Sequence, residues 1–233
     1  MPAPLDPAVE KIIPLLPLRD PAVMTPVSAR EALRALAAAR AAVPPPPVAS
    51  AEDARVKGAA GFLNARVYRM GSDKAPTVLF FHGGGWVAGD LETHDRQARW
   101  LAIETGAAVV SVDYRRPPEV RFPGAFEDAF AALRDVTSRI AEFCVDANRV
   151  GVAGDSAGGN LAAVMALRAR DRGGPPIALQ VLIYPVTDAD FDRPSYTDAE
   201  NQLLLTNDAM RWFWDHYIPD PARRLKTVDT DVH

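Results

Sequence analysis

Short apolar runs separated by stretches of helical spacing constrain this chain more than any other feature. Thr77 to Phe81, Ala107 to Val112 and Val150 to Ala153 are predominantly apolar and too short for helices, and Ala178 to Tyr184 is a fourth buried run of the same kind. Between them, Asp95 to Glu104, Phe122 to Arg139 and Gly158 to Arg170 carry apolar residues at helical intervals. A strand that is apolar on both faces must be covered on both. The pattern therefore predicts a mostly parallel sheet flanked by helices, an α/β architecture, with Phe62 to Arg69 as a further strand.

Ahead of the sheet, residues 1–43 are rich in Ala, Leu and Arg with helical spacing. Val9, Ile12, Ile13 and Leu16 form one apolar face, and Leu33, Leu36 and Ala37 another. Pro44-Pro45-Pro46-Pro47 then stops any helix and predicts a stiff polyproline II spacer. Residues 198–217, with Trp212, Phe213 and Trp214, break the strand-helix alternation with a second helical segment. At 233 residues, one large domain with an appendage fits better than two domains of about 150 residues each.

Composition excludes several classes of partner. Lys and Arg number 26 against 30 Asp and Glu, a net charge of −4, and no basic run stands out, so neither nucleic acid nor an anionic membrane is an expected partner. The longest strongly apolar stretch, Ile177 to Val186, is interrupted by Gln180 and is well short of the roughly 20 residues that cross a bilayer. The segment Met1 to Asp6 lacks the basic and apolar regions of a secretory signal. The single cysteine, Cys144, forbids an intrachain disulfide and a Cys-based zinc cage, and a reducing, cytoplasmic compartment is expected. No metal or organic cofactor is implied, because neither a ligand spacing nor a dinucleotide fingerprint is present.

Two motifs carry chemistry. Gly154-Asp155-Ser156-Ala157-Gly158 is a G-x-S-x-G directly after the strand Val150 to Ala153 and directly before a helix. A serine on so sharp a turn is strained and has its hydroxyl thrust above the sheet, while the following helix N-terminus places partial positive charge beneath a forming oxyanion. The motif alone arises by chance; its position between strand and helix gives it weight. His82-Gly83-Gly84-Gly85-Trp86 follows the strand Thr77 to Phe81. Three glycines in a row leave backbone N–H groups unshielded, as an oxyanion hole made of main chain requires, whereas alone they would read as a surface turn.

Taken together, His82-Gly83-Gly84-Gly85-Trp86, Gly154-Asp155-Ser156-Ala157-Gly158-Gly159-Asn160, Asp113-Tyr114-Arg115, and Phe122-Pro123 leading into Glu127-Asp128 resemble the hormone-sensitive-lipase-like family of microbial carboxylesterases, within the α/β-hydrolase fold. The resemblance implies a carboxylic-ester hydrolase acting on small or medium acyl esters. It implies Ser156 as nucleophile, an oxyanion hole formed by the N–H groups of Gly84, Gly85 and Ala157, and a supporting loop of His82, Gly83 and Asp155 in which His82 is structural. It makes residues 1–45 and 190–218 two cap segments over a core at 46–189, with a divergent tail at 219–233. Trp86, Tyr184 and Trp212 are candidates for the substrate pocket, core packing being the first reading of each aromatic taken singly. Asp113, Tyr114 and Arg115 are expected to fix loop architecture, with direct substrate contact open as an alternative.

In this fold the acid and the histidine follow the serine in sequence. The resemblance stops near Arg223, and the expectation is a chain lacking the last strand-helix units, in which neither triad partner is recognisable. His216 is expected to pack in the cap, and the run containing Asp229, Asp231 and His233 is too near the end of the chain to be read as a rigid catalytic group. A catalytically silent small-molecule-binding protein and a fragment without function stay open beside the esterase reading. The strand Ala178 to Tyr184 or its neighbour is expected to be an exposed edge through which copies self-associate.

Overall fold

The computed structural model describes residues 6–13, 21–71, 75–143, 146, 148–199 and 202–224. Leu16, Cys144 and the run with Asp229, Asp231 and His233 lie outside the described residues, as does the side chain of Ile12.

Six strands form one sheet: β1 (Ser50–Gly58), β2 (Gly61–Arg69), β3 (Thr77–Phe81), β4 (Ala108–Val112), β5 (Val150–Asp155) and β6 (Leu179–Ile183), in the spatial order β1-β2-β4-β3-β5-β6. The strands β4, β3, β5 and β6 run parallel, whereas β2 is antiparallel to both β1 and β4. Alternate side chains of β3 enter opposite faces. Leu79 and Phe81 join the core that holds Phe126, Leu133, Leu161 and Met165, while Val78 and Phe80 join a second core with Ala98 and Ala102. Each fully buried Leu or Phe contributes about 1.5–3 kcal/mol relative to exposure, so both faces hold their helices in place.

The helices α1 (Pro7–Ile12) and α2 (Pro26–Ala39) precede the sheet; α3 (Asp95–Thr105), α4 (Gly124–Ser138), α5 (Ile140–Phe143) and α6 (Ala157–Asp171) are woven through it; α7 (Pro194–Thr197) and α8 (Asn207–Tyr217) follow. Thr25 and Ser28 close a reciprocal cap at the start of α2, with Pro26 in the first turn, where its missing N–H is harmless. Gly106, at φ 66°, ends α3 in the left-handed conformation. From β3 the chain moves outward to β4, then crosses back to β5 on the other side of β3. That reversal opens a crevice beyond the carboxyl ends of β3 and β5, where ligands bind in open α/β sheets.

Three expectations are corrected, and one strand is added. The charged strand β1 was not foreseen, because of its residues only Val56 is buried and its period-two signal is hidden under Glu52, Asp53, Arg55 and Lys57. The run Ala178 to Tyr184 is half-exposed rather than buried: β6 has β5 as its one neighbour among the described residues, and Leu179 and Leu182 face outward. The helical segment at 198–217 narrows to α8, which begins only after Thr206, whose hydroxyl accepts the Ala209 N–H at 3.1 Å. In the first helix Val9 is exposed, and Ile13, which caps its end, is buried.

Candidate active site

Ser156 occupies the turn between β5 and α6 with φ 52° and ψ −116°, a conformation that is strained for a residue with a Cβ. The surrounding backbone leaves it no room to relax. Its N–H donates to Ile183 O at 2.9 Å, and its carbonyl accepts from Asn160 N at 3.0 Å and Val186 N at 3.1 Å. A methyl group at Gly158 would overlap the carbonyl of Phe81 at the end of β3, so only glycine lets α6 start this close to the neighbouring strand.

The loop after β3 lies across the turn. Gly84 has φ 106°, open to glycine and hostile to other residues, and its carbonyl accepts from Val87 N and Ala88 N. The N–H groups of Gly84, Gly85 and Ala157 meet no acceptor among the described residues. Gly84 and Gly85 line, with Ser156, Asp155, Trp86, Met210 and Phe213, a chamber of about 180 Å³. Ser156 also opens onto a larger cavity of about 960 Å³, lined by Leu33, Leu36 and Ala37 of α2, by the segment from Tyr184 to Asp188, and by Tyr196, Leu204, Leu205 and Met210.

The loop is held from beneath. Asp155 Oδ1 accepts the Gly83 N–H at 2.9 Å, and His82 Nδ1 lies 2.8 Å from Gly83 O. The His82 ring stacks on Tyr114 at 4.3 Å, and Tyr114 donates its hydroxyl to His82 O at 2.7 Å. Full burial holds the His82 imidazole well below its usual pKa, so the ring is neutral and donates from Nδ1. Burial likewise pushes the Tyr114 phenol well up and keeps it a hydrogen-bond donor. Arg115 grips Asp128 with two hydrogen bonds at 2.7 and 2.8 Å, and Asp128 also accepts the Ala59 N–H of the β1–β2 turn. None of Asp113, Tyr114 and Arg115 lines either space at Ser156.

Trp86 lines the small chamber; it is fully buried, with φ 61°, and stacks on Tyr217 at 4.3 Å and edge-on to Trp214 at 4.7 Å. Tyr184 lines the large cavity, with φ 35°. Trp212 lines neither. At about 100° per residue, α8 turns Met210, Phe213, Trp214 and Tyr217 inward and leaves Trp212 on its flank, against Phe213 and His216. Phe213 and Met210 take the place expected of Trp212.

The comparisons with known proteins agree with this geometry. The family model described as alpha/beta hydrolase fold matches residues 78–229. The chain belongs to the α/β-hydrolase family. Its hormone-sensitive-lipase-like character is supported by relatives such as carboxylesterase NlhH of Mycobacterium tuberculosis, 49% identical over 147 residues that cover 63% of this chain and 46% of that protein. Ethyl acetate hydrolase of Pseudomonas putida is 40% identical over 169 residues, 70% of this chain and 53% of that protein. A solved hyperthermophilic esterase from the archaeon Pyrobaculum calidifontis superimposes with a TM-score of 0.88 at 39% identity, over 97% of this chain and 74% of that one. The chain thus spans about half the length of the curated relatives it matches.

Beside Phe213 and Met210, this α/β-hydrolase chain has a polar site residue whose part sequence reading did not assign. His94, at the start of α3, is buried, lines both spaces with Ser156, and places Nε2 3.5 Å from Asp155 Oδ2 and Nδ1 3.0 Å from Thr93 Oγ1. Nδ1 is thereby engaged, and Nε2 faces the Asp155 carboxylate. His216 turns Nδ1 to Trp212 O at 2.8 Å. No hydrogen bond joins Ser156 Oγ to a described histidine. Among the described residues no helix is long and apolar enough to cross a membrane, and no cluster of three or more His, Cys, Asp or Glu is arranged to hold a metal ion.

Proposed function

We propose that the site is built for hydrolysis of small or medium carboxylic esters through a serine acyl-enzyme. The observation that carries this is the strained Ser156 at the junction of a small chamber bearing the Gly84 and Gly85 backbone and a large cavity walled in part by Leu33, Leu36, Leu204 and Leu205. Ser156 Oγ attacks the acyl carbon, and the oxyanion rests on the N–H groups of Gly84, Gly85 and Ala157. The bond to the alcohol oxygen then breaks, the alcohol leaves with a proton, and water releases the acid in a second step. Relatives named carboxylesterase and ethyl acetate hydrolase support the same substrate class.

The proton transfers need a base held at Ser156, and none of the described histidines is hydrogen-bonded to it. A serine without such a base is expected to turn over a p-nitrophenyl short-chain ester only residually, about 10³–10⁴ over water. An organophosphonate is expected to label Ser156 slowly and Ser156→Ala not at all. Rapid, stoichiometric labelling lost in Ser156→Ala establishes that a base acts at the serine. No labelling at Ser156 and no turnover favours the second reading, a silent binding protein, to which the 960 Å³ cavity is equally suited.

The same reading places the chain in the cytoplasm, supported by its single cysteine in 233 residues. It also gives the chain a partner in a second copy of itself, through the outward edge of β6.

A further inference from the structure

Helix α2 roofs the large cavity with Leu33 and Leu36, and from the same helix two arginines reach the loop that carries the glycines. Arg30 Nε donates to Val87 O at 2.9 Å, and Arg34 Nε meets Asp90 Oδ2 at 2.7 Å. Asp90 passes the connection inward: its Oδ1 accepts Thr93 N at 2.9 Å, and its own N–H donates to Thr93 Oγ1 at 2.8 Å. Thr93 Oγ1 is 3.0 Å from His94 Nδ1, His94 Nε2 is 3.5 Å from Asp155 Oδ2, and Asp155 Oδ1 holds the Gly83 N–H. Across that 3.5 Å gap a carboxylate oxygen accepts, so an Nε2–H is the form of His94 that can face Asp155. The Thr93 hydroxyl either donates to Nδ1, or accepts from Nδ1–H and sends its proton to Asp90 O at 2.9 Å. Both patterns leave Nε2 free to face Asp155 with its N–H.

We propose that Arg34 and His94 are positioning residues, forming a relay through which the docked helix α2 sets the oxyanion loop. The relay rests on the esterase reading for its catalytic consequence but not for its existence. Gly83 precedes Gly84 and Gly85, so any shift of Asp155 rotates the peptide groups aimed at the oxyanion, and a misplacement of about 1 Å is worth as much as 10²-fold in rate. The helix that closes over an apolar substrate is thus the helix that tenses the catalytic backbone. The 3.5 Å separation between His94 and Asp155 is the loosest joint, and the one most sensitive to substitution.

The test uses the full chain labelled with ¹⁵N and follows the Gly83 amide and the His94 ring nitrogens by NMR. His94→Ala and Arg34→Gln are expected to move the Gly83 amide proton upfield, as the bond to Asp155 lengthens. His94→Gln, whose side-chain amide can still donate, restores most of the shift. Arg96→Gln serves as the control: it releases Val43 O and Pro44 O beyond α2 but stands outside the relay, and it leaves Gly83 unmoved. Where Ser156-dependent turnover is measurable, kcat falls about 10–100-fold in His94→Ala with KM nearly constant. The Arg34 side chain is 59% exposed, so Arg34→Gln carries the test if His94→Ala does not fold. A Gly83 amide that stays in place in folded Arg34→Gln overturns the relay. Absent turnover with the expected shifts overturns only the esterase reading.

Discussion

The carboxylate of Asp155 accepts the N–H of Gly83 at 2.9 Å, joining the nucleophile turn to the glycine loop across 72 positions of sequence. Its other oxygen faces His94. The hydrogen bond to Gly83 and the 3.5 Å approach of His94 are both made with little water present, the Asp155 side chain being 12% exposed. Asp155→Asn keeps the shape and the Gly83 acceptor but turns an N–H₂ toward the His94 Nε2–H, leaving a donor without an acceptor. A loss of about 1–3 kcal/mol is expected, read as a lower midpoint in urea unfolding with an unchanged slope.

Two glycines separate crowding from backbone strain. A Cβ at Gly158 overlaps the carbonyl of Phe81, main chain of the central strand β3 that cannot swing aside. Gly173, at φ 67°, has open space around its Cβ position. Gly173→Ala is expected to destabilise by about 1–2 kcal/mol, the left-handed penalty alone. Gly158→Ala is expected to reach or exceed about 3 kcal/mol, the upper end for overpacking. Equal losses in urea unfolding would show that the turn can open and that its closeness to β3 is unimportant.

The docking of α2 carries a pH dependence. Arg30 holds Glu119 through two hydrogen bonds at 2.8 and 2.7 Å, and this lowers the Glu119 carboxyl from 4.5 to about 2. A carboxyl whose folded pKa is depressed stabilises fully above its unfolded pKa and loses that contribution as pH falls toward the folded one. The window is therefore about pH 4.5 down to about 2. Burial alone would raise the Asp90 carboxyl, but hydrogen bonds from Arg34 and Thr93 outweigh it and hold it below its usual value, so it weakens in the acid range too. Glu119 is 61% exposed, and solvent screening keeps its share within about 1 kcal/mol. The stability gap between the native chain and Glu119→Gln is expected to close across that window. A gap that is constant with pH would mean that the pair adds nothing.

The sheet was legible where residues are buried on both faces, because nothing but an interior strand accounts for runs such as Thr77 to Phe81. The nucleophile turn was legible because Gly154 and Gly158 answer to steric rules that act within five residues. What stayed hidden depends on partners distant in sequence. Strand β1 is specified by pairing with β2, not by its own charged residues. The choice of Phe213 over Trp212 depends on the rotation of α8, which no local pattern fixes between two aromatic neighbours. The place of His94 follows from a helix start meeting Asp155, 61 positions further along the sequence.

The two edges of the sheet differ, and the difference decides where the proposed self-association would occur. Strand β1 carries Glu52, Asp53, Arg55 and Lys57, which a second strand could pair with only by burying charge. Strand β6 carries Leu179, Val181, Leu182 and Ile183, with Leu179 56% and Leu182 39% exposed, and one neighbour among the described residues. An apolar edge with unpaired N–H and C=O groups recruits another strand, and the identical edge of a second copy is always present at the concentration of the protein itself. Sedimentation of the 25.2 kDa chain is expected to show concentration-dependent association. Leu182→Lys places a charge on that edge and is expected to shift the population toward monomer, whereas Lys57→Leu on β1 has little effect on it. A native chain that sediments as a cooperatively unfolding monomer at every concentration would sink this account, and equal behaviour of the two variants would move the contact away from β6.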